Sequence, residues 1–270
     1  MTEFDRGIAV AADGSARFDP AWWVQIGPNG GYVAAVLYEG LANLVADDTR
    51  PLRSLTVHYL RPGKAAAVQV DAHVERAGRT LTTVSGRLVQ DGATIALGLA
   101  AFATPRARLE YDDGGFPDVP PPEELPEPGP VPGAPPIADR FDYRPALGSS
   151  PFSSAGLALI GAWVRLRDHR PVDAASLVLF ADALPPAPWV RAATPFLATT
   201  VDYTVHLRQP STYPTYDDWC LCVFRSRLAA EGFFEEDGEI WTRDGRLLAQ
   251  SRQLAVMTPV PGGERSGRDE

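Results

Sequence analysis

The chain has 270 residues, 45% of them hydrophobic, so it can bury a sizeable core in one large domain or two smaller ones. Its formal net charge is −9, which argues against a protein that binds a nucleic-acid backbone or an anionic membrane surface. No stretch approaches the roughly 20 apolar residues of a membrane-spanning helix, so we expect neither nucleic acid nor membrane as a partner.

The two cysteines and the N-terminus indicate a cytoplasmic protein. Cys220 and Cys222 are two residues apart on a predicted strand, where they point the same way and are poorly placed for a disulfide. Residues 1–6 contain two acids and no long apolar run follows, unlike a signal peptide. We expect the cysteines to be packing residues, and we expect no metal or other cofactor, because no metal-ligand spacing is present.

The first half of the chain predicts one helix followed by four strands. Asn29 is a suitable N-cap for the run 32–44, which is apolar nearly all round and therefore predicts a buried helix. Alternating residues then predict strands at 52–60, 66–77, 80–90 and 93–104, with a hairpin at Asp91-Gly92.

A proline-rich stretch interrupts the chain near its middle. Ten prolines fall between Pro117 and Pro136, and proline is incompatible with a central strand or a helix interior. We predict a first unit over 1–108, a stiff linker over 109–140, a second unit over 141–262 and a disordered tail over 263–270.

The second half repeats the order of elements after one leading strand, which indicates an internal duplication. Thr204-Val205-His206 matches Thr56-Val57-His58, and the turn Asp244-Gly245 matches Asp91-Gly92. The predicted elements are a strand at 160–167, a helix at 173–183, and strands at 199–207, 219–228, 238–242 and 246–257.

A helix followed by antiparallel strands, without β-α-β alternation, favours the α+β class. The natural place for so apolar a helix is inside a curved sheet, which is the hotdog arrangement. We therefore predict a double hotdog, with two tandem antiparallel sheets each wrapped around a central helix.

Short motifs in both halves resemble the acyl-CoA thioesterase II-like family. The first-half motifs are Gly27-Pro28-Asn29-Gly30-Gly31-Tyr32, His58-Tyr59-Leu60-Arg61-Pro62-Gly63, Gly78-Arg79-Thr80 and Gln90-Asp91-Gly92. The second-half motifs are Ala181-Asp182, Thr200-Val201-Asp202-Tyr203 and Leu248-Ala249-Gln250-Ser251-Arg252-Gln253. Their order and joint presence carry the resemblance.

The resemblance implies hydrolysis of acyl-CoA thioesters, with the acyl-CoA as the small-molecule partner. Family members hold the attacking water with an Asp, a Thr and a Gln, which by motif position are Asp182, Thr200 and Gln253. Gln250 competes for the last role, but the family's Gln lies four residues after an Ala that Ala249 resembles, which favours Gln253.

Gly30 and Gly31 are the candidate oxyanion hole, because amides in the first turn of a helix lack intrahelical partners and a missing Cβ permits close approach. Structural interpretations stay open for each site residue. The two glycines could simply allow a tight entry into the helix. Asp182 could be a solvated acid at a helix end, and Gln253 could be hydrogen-bonded to backbone at a sheet edge.

Two other functions compete with a thioesterase: a non-catalytic acyl-CoA binding protein and an enoyl-CoA hydratase. The hydratase is disfavoured because neither predicted helix carries a His, and no Gly-x-Ser-x-Gly motif supports a serine hydrolase. Ala100 stands in the first half where the second has Gln253, so we expect one working site per chain. Exposed sheet edges predict a homodimer or homotetramer.

Overall fold

A computed structural model describes residues 1–129, 133–208 and 218–260, so the predicted tail at 263–270 lies outside the described residues. Strands of the first half are β1 (Ser15–Arg17), β2 (Leu52–Tyr59), β3 (Ala67–Ala77), β4 (Leu81–Gln90) and β5 (Ala93–Ala103). Those of the second half are β6 (Phe141–Gly148), β7 (Ala158–Leu166), β8 (Phe196–Leu207), β9 (Cys220–Ser226), β10 (Ala229–Ala230), β11 (Phe233–Thr242) and β12 (Leu247–Pro259). Helices are α1 (Glu3–Ile8), α2 (Gly30–Val45), α3 (Ala174–Phe180) and α4 (Pro188–Arg191).

The two tandem antiparallel sheets that the sequence predicts are joined edge to edge, so the strands form one continuous antiparallel sheet. Its order is β1-β3-β4-β5-β2-β8-β12-β11-β9-β7-β6, with β10 paired to β11. The two halves join where β2 pairs with β8. An open strand edge presents unpaired N–H and C=O groups, and this pairing satisfies both edges at once.

The join between β2 and β8 has local two-fold symmetry. Thr56 pairs with Thr204 at its centre, where the two hydroxyl oxygens are 3.0 Å apart. From there outward the strands follow the same order on both sides. Each central strand also has a matched β-bulge, at Arg53 in β2 and at Val201 in β8. The repeated Thr-Val-His motif therefore marks related positions of a duplicated unit.

The longer helix is the buried one that its composition predicts. Asn29 caps α2 by accepting a hydrogen bond from the amide of Tyr32, and the helix packs against β2, β3, β4 and β5. The second helix, predicted over 173–183, is shorter: Asp173 is its N-cap, and α3 packs against α2 and β8. Among the described residues, no helix combines the length and apolarity needed to cross a bilayer.

The described parts of the proline-rich stretch, on either side of residues 130–132, lie against the protein rather than extending away from it. The Trp163 indole donates a hydrogen bond to the carbonyl of Pro120 at 2.9 Å, and the Phe116 ring packs against Trp163 and Trp241. These tryptophans belong to a small apolar cluster separate from the main core. Proline favours an extended backbone here, and apolar contacts hold that backbone in place.

Two strands of the sheet differ from their predicted bounds in ways that bear on the site. The first, β6, was not predicted as a strand. It contains Pro145 in its interior, and among the described residues it is the terminal strand of the sheet, where proline is tolerated. The second, β11, begins five residues earlier than predicted, because the acidic run 235–237 resembles a turn.

Candidate active site

A cleft of about 1560 Å³ opens where the two halves and the proline-rich stretch meet. This volume exceeds the roughly 300–1,000 Å³ of ordinary small-molecule pockets, so a long or bulky ligand fits. Four of the five predicted site residues line the cleft: Gly30, Asp182, Thr200 and Gln253. Much of the remaining wall is apolar, including Phe152, Trp189, Leu197 and Phe234.

Asp182 follows α3 directly and is held by the N-terminus of α2. Its Oδ2 accepts hydrogen bonds from the Gly31 amide at 2.8 Å and from Asn29 Nδ2 at 2.9 Å. The Asn29 amide also donates to the Asp182 carbonyl oxygen at 3.0 Å. Unpaired amides and the positive end of the helix dipole favour a carboxylate at this position. A side chain of the second half is thus fixed by the backbone of the first.

The environment of Asp182 makes it a weaker acid than an ordinary aspartic acid. Burial raises its pKa to about 6, although hydrogen bonds from Gly31, Gln253, Asn29 and Gly30 act to lower it. Part of the side chain still faces the cleft. A carboxylate with a pKa near the working pH, within reach of a ligand, suits general-base catalysis.

A β-bulge brings Thr200 to the inner face of the sheet. Tyr203 and Val205 point into the core, so regular alternation along β8 would place Val201 inside and Thr200 outside. The extra residue at the bulge reverses this: Ala255 pairs with Thr200 and Val201 is exposed. Bulges commonly re-aim side chains beside functional sites, and this one aims Thr200 at Gln253.

Gln253 lies between two polar side chains on the inner face of neighbouring strands. Thr200 Oγ1 donates to Gln253 Oε1 at 2.9 Å, and Gln253 Nε2 donates to Glu236 Oε1 at 2.8 Å. The second carboxyl oxygen of Glu236 accepts from the amide of Ala187. Only 7% of Gln253 and 2% of Glu236 is exposed. The structure therefore brings Asp182, Thr200 and Gln253 together, with Gln253 bonded within the sheet to side chains rather than only to backbone.

Glu236, Asn29 and Tyr59 also contribute to this site and were not among the site residues predicted from the sequence. Glu236 faces inward with Phe234 and Ile240, and this alternation was the signal that could have revealed it. Tyr59 donates from its hydroxyl to the Gly30 carbonyl at 2.7 Å, which fixes the first turn of α2.

The two glycines of the predicted oxyanion hole have different surroundings. The Gly31 amide is engaged by Asp182, and a Cβ on Gly31 would lie 2.9 Å from the Leu179 carbonyl oxygen. Gly30 lines the cleft, whereas Gly31 is buried behind it. The structure therefore gives Gly31 the role of anchoring Asp182.

The matching positions of the first half carry no polar side chains. Pairing from the symmetric join relates Thr200 to Leu52, Gln253 to Ala100 and Glu236 to Val84. All three first-half residues are essentially fully buried. The fold thus accommodates apolar residues at these positions, and only the second half has the hydrogen-bonded row of Thr200, Gln253 and Glu236.

Across residues 1–129, 133–208 and 218–260, no three His, Cys, Asp or Glu side chains are grouped to hold a metal ion. Cys220 and Cys222 are both free thiols that pack in the core, and burial raises the pKa of each.

Sequence profiles of known families match nearly the whole chain. The acyl-CoA thioesterase N-terminal domain matches residues 19–103, and the acyl-CoA thioesterase C-terminal domain matches residues 116–257. The chain belongs to the acyl-CoA thioesterase family. No functionally curated protein matches the chain with significance.

Solved structures agree with this membership of the thioesterase family. The chain is similar to a conserved protein of unknown function with a hot dog fold from Alicyclobacillus acidocaldarius: identity is 28%, the TM-score is 0.88, and 96% of this chain and 100% of that one are covered. A protein described as a candidate thioesterase II from Thermobifida fusca has 29% identity and a TM-score of 0.81, covering 95% and 98%. An acyl-CoA thioesterase II from Mycobacterium marinum has 19% identity and a TM-score of 0.75, covering 96% and 100%, and shows the shared fold alone.

Proposed function

We propose that this protein hydrolyses acyl-CoA thioesters to the free acid and CoA, with a water held by Asp182, Thr200 and Gln253. The observation that carries the proposal is their convergence: the three side chains line one cleft, and Thr200 is hydrogen-bonded to Gln253. The size of the cleft and its apolar wall suit a ligand that combines a long head group with an acyl chain.

In the proposed reaction Asp182 acts as general base. Its Oδ2 accepts from Gly31 and Asn29, and Oδ1 is the oxygen that takes a proton from water. Gln253 helps to hold the water through Thr200: the Thr200 hydroxyl donates to Gln253 Oε1, which leaves the Thr200 oxygen lone pairs to accept the other water hydrogen. The water oxygen bonds to the thioester carbonyl carbon, the C–S bond then breaks, and the thiolate of CoA takes the proton from Asp182.

The developing oxyanion needs donors, and the first turn of α2 is the proposed source. Gly30 is the better candidate of the two glycines, because it lines the cleft while the Gly31 amide bonds Asp182. The positive end of the α2 dipole adds a modest stabilisation.

The two halves, each with a helix against strands in the same order, support a double hotdog within one continuous sheet. We also propose that residues 1–108 and 141–262 are the two hotdog units and that residues 109–140 link them. A cytoplasmic location is proposed as well, which two free buried cysteines support. Among the described residues the sheet ends at β1 and β6, and these edges support a homodimer or homotetramer.

Thiol release tests the proposed activity. Purified protein is incubated with acyl-CoAs of several chain lengths, and free CoA thiol is followed with a chromogenic disulfide. Release above the rate without protein is expected for at least one length. No release at any length would reject the proposal, and binding measured by calorimetry without turnover would favour the non-catalytic acyl-CoA binding protein.

A further inference from the structure

Glu236 is a buried carboxyl group that the reaction just described does not use. It lies on the inner face of β11, directly opposite Gln253 on β12, and only 2% of it is exposed. Burial of an acid is unfavourable unless its oxygens are hydrogen-bonded. Both oxygens of Glu236 have partners, the Gln253 side-chain amide and the Ala187 backbone amide.

The fold itself does not require an acid at this position. The symmetry-related residue of the first half is Val84, which is fully buried and pairs with Ala100 as Glu236 pairs with Gln253. A buried polar pair that departs from the apolar pattern of its own repeat is the kind of inconsistency that functional sites show.

From this geometry we propose that Glu236 is the positioning residue that sets the orientation of the Gln253 amide for the hydrolysis of thioesters. The inference rests on the proposed function. An ionised carboxylate can only accept, so it requires Nε2 of Gln253 to face Glu236. Oε1 must then face Thr200, which donates to it. The Thr200 oxygen is left as an acceptor toward the cleft.

Protonation of Glu236 reverses this chain of hydrogen bonds. A neutral acid can donate to Oε1 of Gln253, whose Nε2 then donates to Thr200. One of the two acceptor sites on the Thr200 oxygen is then occupied, and its freed hydrogen competes with the water hydrogen for the cleft side. Burial raises the pKa of Glu236, as do the nearby charges of Asp182 and Glu235, whereas bonds from Ala187 and Gln253 lower it. The favoured orientation therefore gains population as the pH rises, and hydrolysis gains with it.

The experiment compares Glu236→Gln with Glu239→Gln, the same change on the outer face of the same strand. Glu236→Gln is expected to lower kcat roughly 10- to 100-fold with KM within about threefold, since misplacement of a positioned group has costs of this size. It also loses the rise in kcat that accompanies ionisation of Glu236, whose pKa burial raises to about 8, while the rise near pH 6 from Asp182 remains. The rate without enzyme is subtracted at each pH. Glu239→Gln behaves as the wild type.

Two further measurements separate positioning from a folding defect. Glu236→Val, which copies the first half, leaves the Gln253 and Ala187 donors unpaired and should lower both kcat and the melting temperature, whereas Glu236→Gln should lower kcat with the smaller change in melting temperature. In a Gln253→Ala background, Glu236→Gln should cause no further loss, because it acts through Gln253. A kcat equal to that of Glu239→Gln, or losses that multiply, would overturn the inference.

A readout independent of turnover distinguishes failure of this inference from failure of the proposed function. The side-chain amide signals of Gln253 in a nitrogen-15 correlation spectrum should shift in Glu236→Gln and stay in Glu239→Gln. Absence of thiol release from the wild type counts against the function, whereas unshifted amide signals count against the positioning role.

Discussion

At the level of single side chains, Asp182 combines two properties that a general base needs. Hydrogen bonds from Gly31 and Asn29 fix its position, and burial keeps its pKa at about 6 rather than near 4. The same burial that weakens the acid also opposes folding once the group is charged. Function and stability therefore depend on pH through one residue, in opposite directions.

The first prediction concerns the rate. Because the base must be ionised, kcat/KM should rise as the pH increases through about 6, not through the ordinary aspartic range. Initial rates with one acyl-CoA in buffers from pH 4.5 to 8 measure this. A rate already constant from pH 5 upward would argue against Asp182 as the base.

The second prediction concerns stability. The pKa of Asp182 is raised in the folded state, so the protonated side chain adds to the free energy of unfolding at a pH below its unfolded pKa. This stabilisation is lost as the pH rises to about 6. Two pKa units correspond to about 3 kcal/mol. Asp182→Asn should therefore gain up to that amount of unfolding free energy over the wild type at pH 8, and little at pH 4, in urea titrations. An equal difference at both pH values would contradict this.

At the level of elements, the site depends on the contact between the first turn of α2 and the end of α3. A Cβ at Gly31 would lie 2.9 Å from the Leu179 carbonyl oxygen and 3.0 Å from Asp182 Cβ. The Leu179 oxygen belongs to the backbone and cannot rotate away, so α2 and α3 would have to move apart to remove the clash.

Gly31→Ala is the third prediction. It should destabilise the protein by roughly 1–3 kcal/mol, as overpacking does, and should lower kcat because Asp182 moves. Gly27→Ala is the matched control for stability, since a Cβ there meets nothing within 4 Å. The melting temperatures of the two variants, compared with that of the wild type, test this prediction. A Gly31→Ala protein as stable as Gly27→Ala would show that the helices are not held this tightly.

Some features of the strands and helices could be predicted from the sequence, and others could not. The strong alternation of β3 to β5 and the cap at Asn29 were predictable, because local pattern determines them. The extra residue at Val201 was not, since a bulge depends on the partner strand and leaves no local signal. Family motifs located Asp182, Thr200 and Gln253, but Glu236 belongs to no motif and lies in an acidic run that resembles a turn.

At the level of the whole molecule, the two halves share one sheet and one core. Buried residues from both halves form a single continuous cluster, and α2 packs against α3. In the cleft, the Gly31 amide of the first half holds the Asp182 carboxylate of the second. Sequence symmetry indicated the duplication, whereas the pairing of β2 with β8 that joins the halves emerges only in three dimensions.

The fourth prediction follows from that shared core. Calorimetry should show one unfolding transition whose calorimetric and van't Hoff enthalpies agree, despite a chain of 270 residues. Two resolved transitions, with one surviving the loss of the other half, would show that the halves fold independently.

The central claim is that Asp182 activates water for the hydrolysis of an acyl-CoA, and one comparison tests it most directly. Asp182→Asn keeps the size of the side chain and an acceptor for the Gly31 amide, whereas Asp237→Asn makes the same change on the outer face of the sheet. We predict that kcat/KM for CoA release falls about 10²- to 10⁴-fold in the first and stays near wild type in the second. Hydrolysis at the wild-type rate by folded Asp182→Asn would contradict the account.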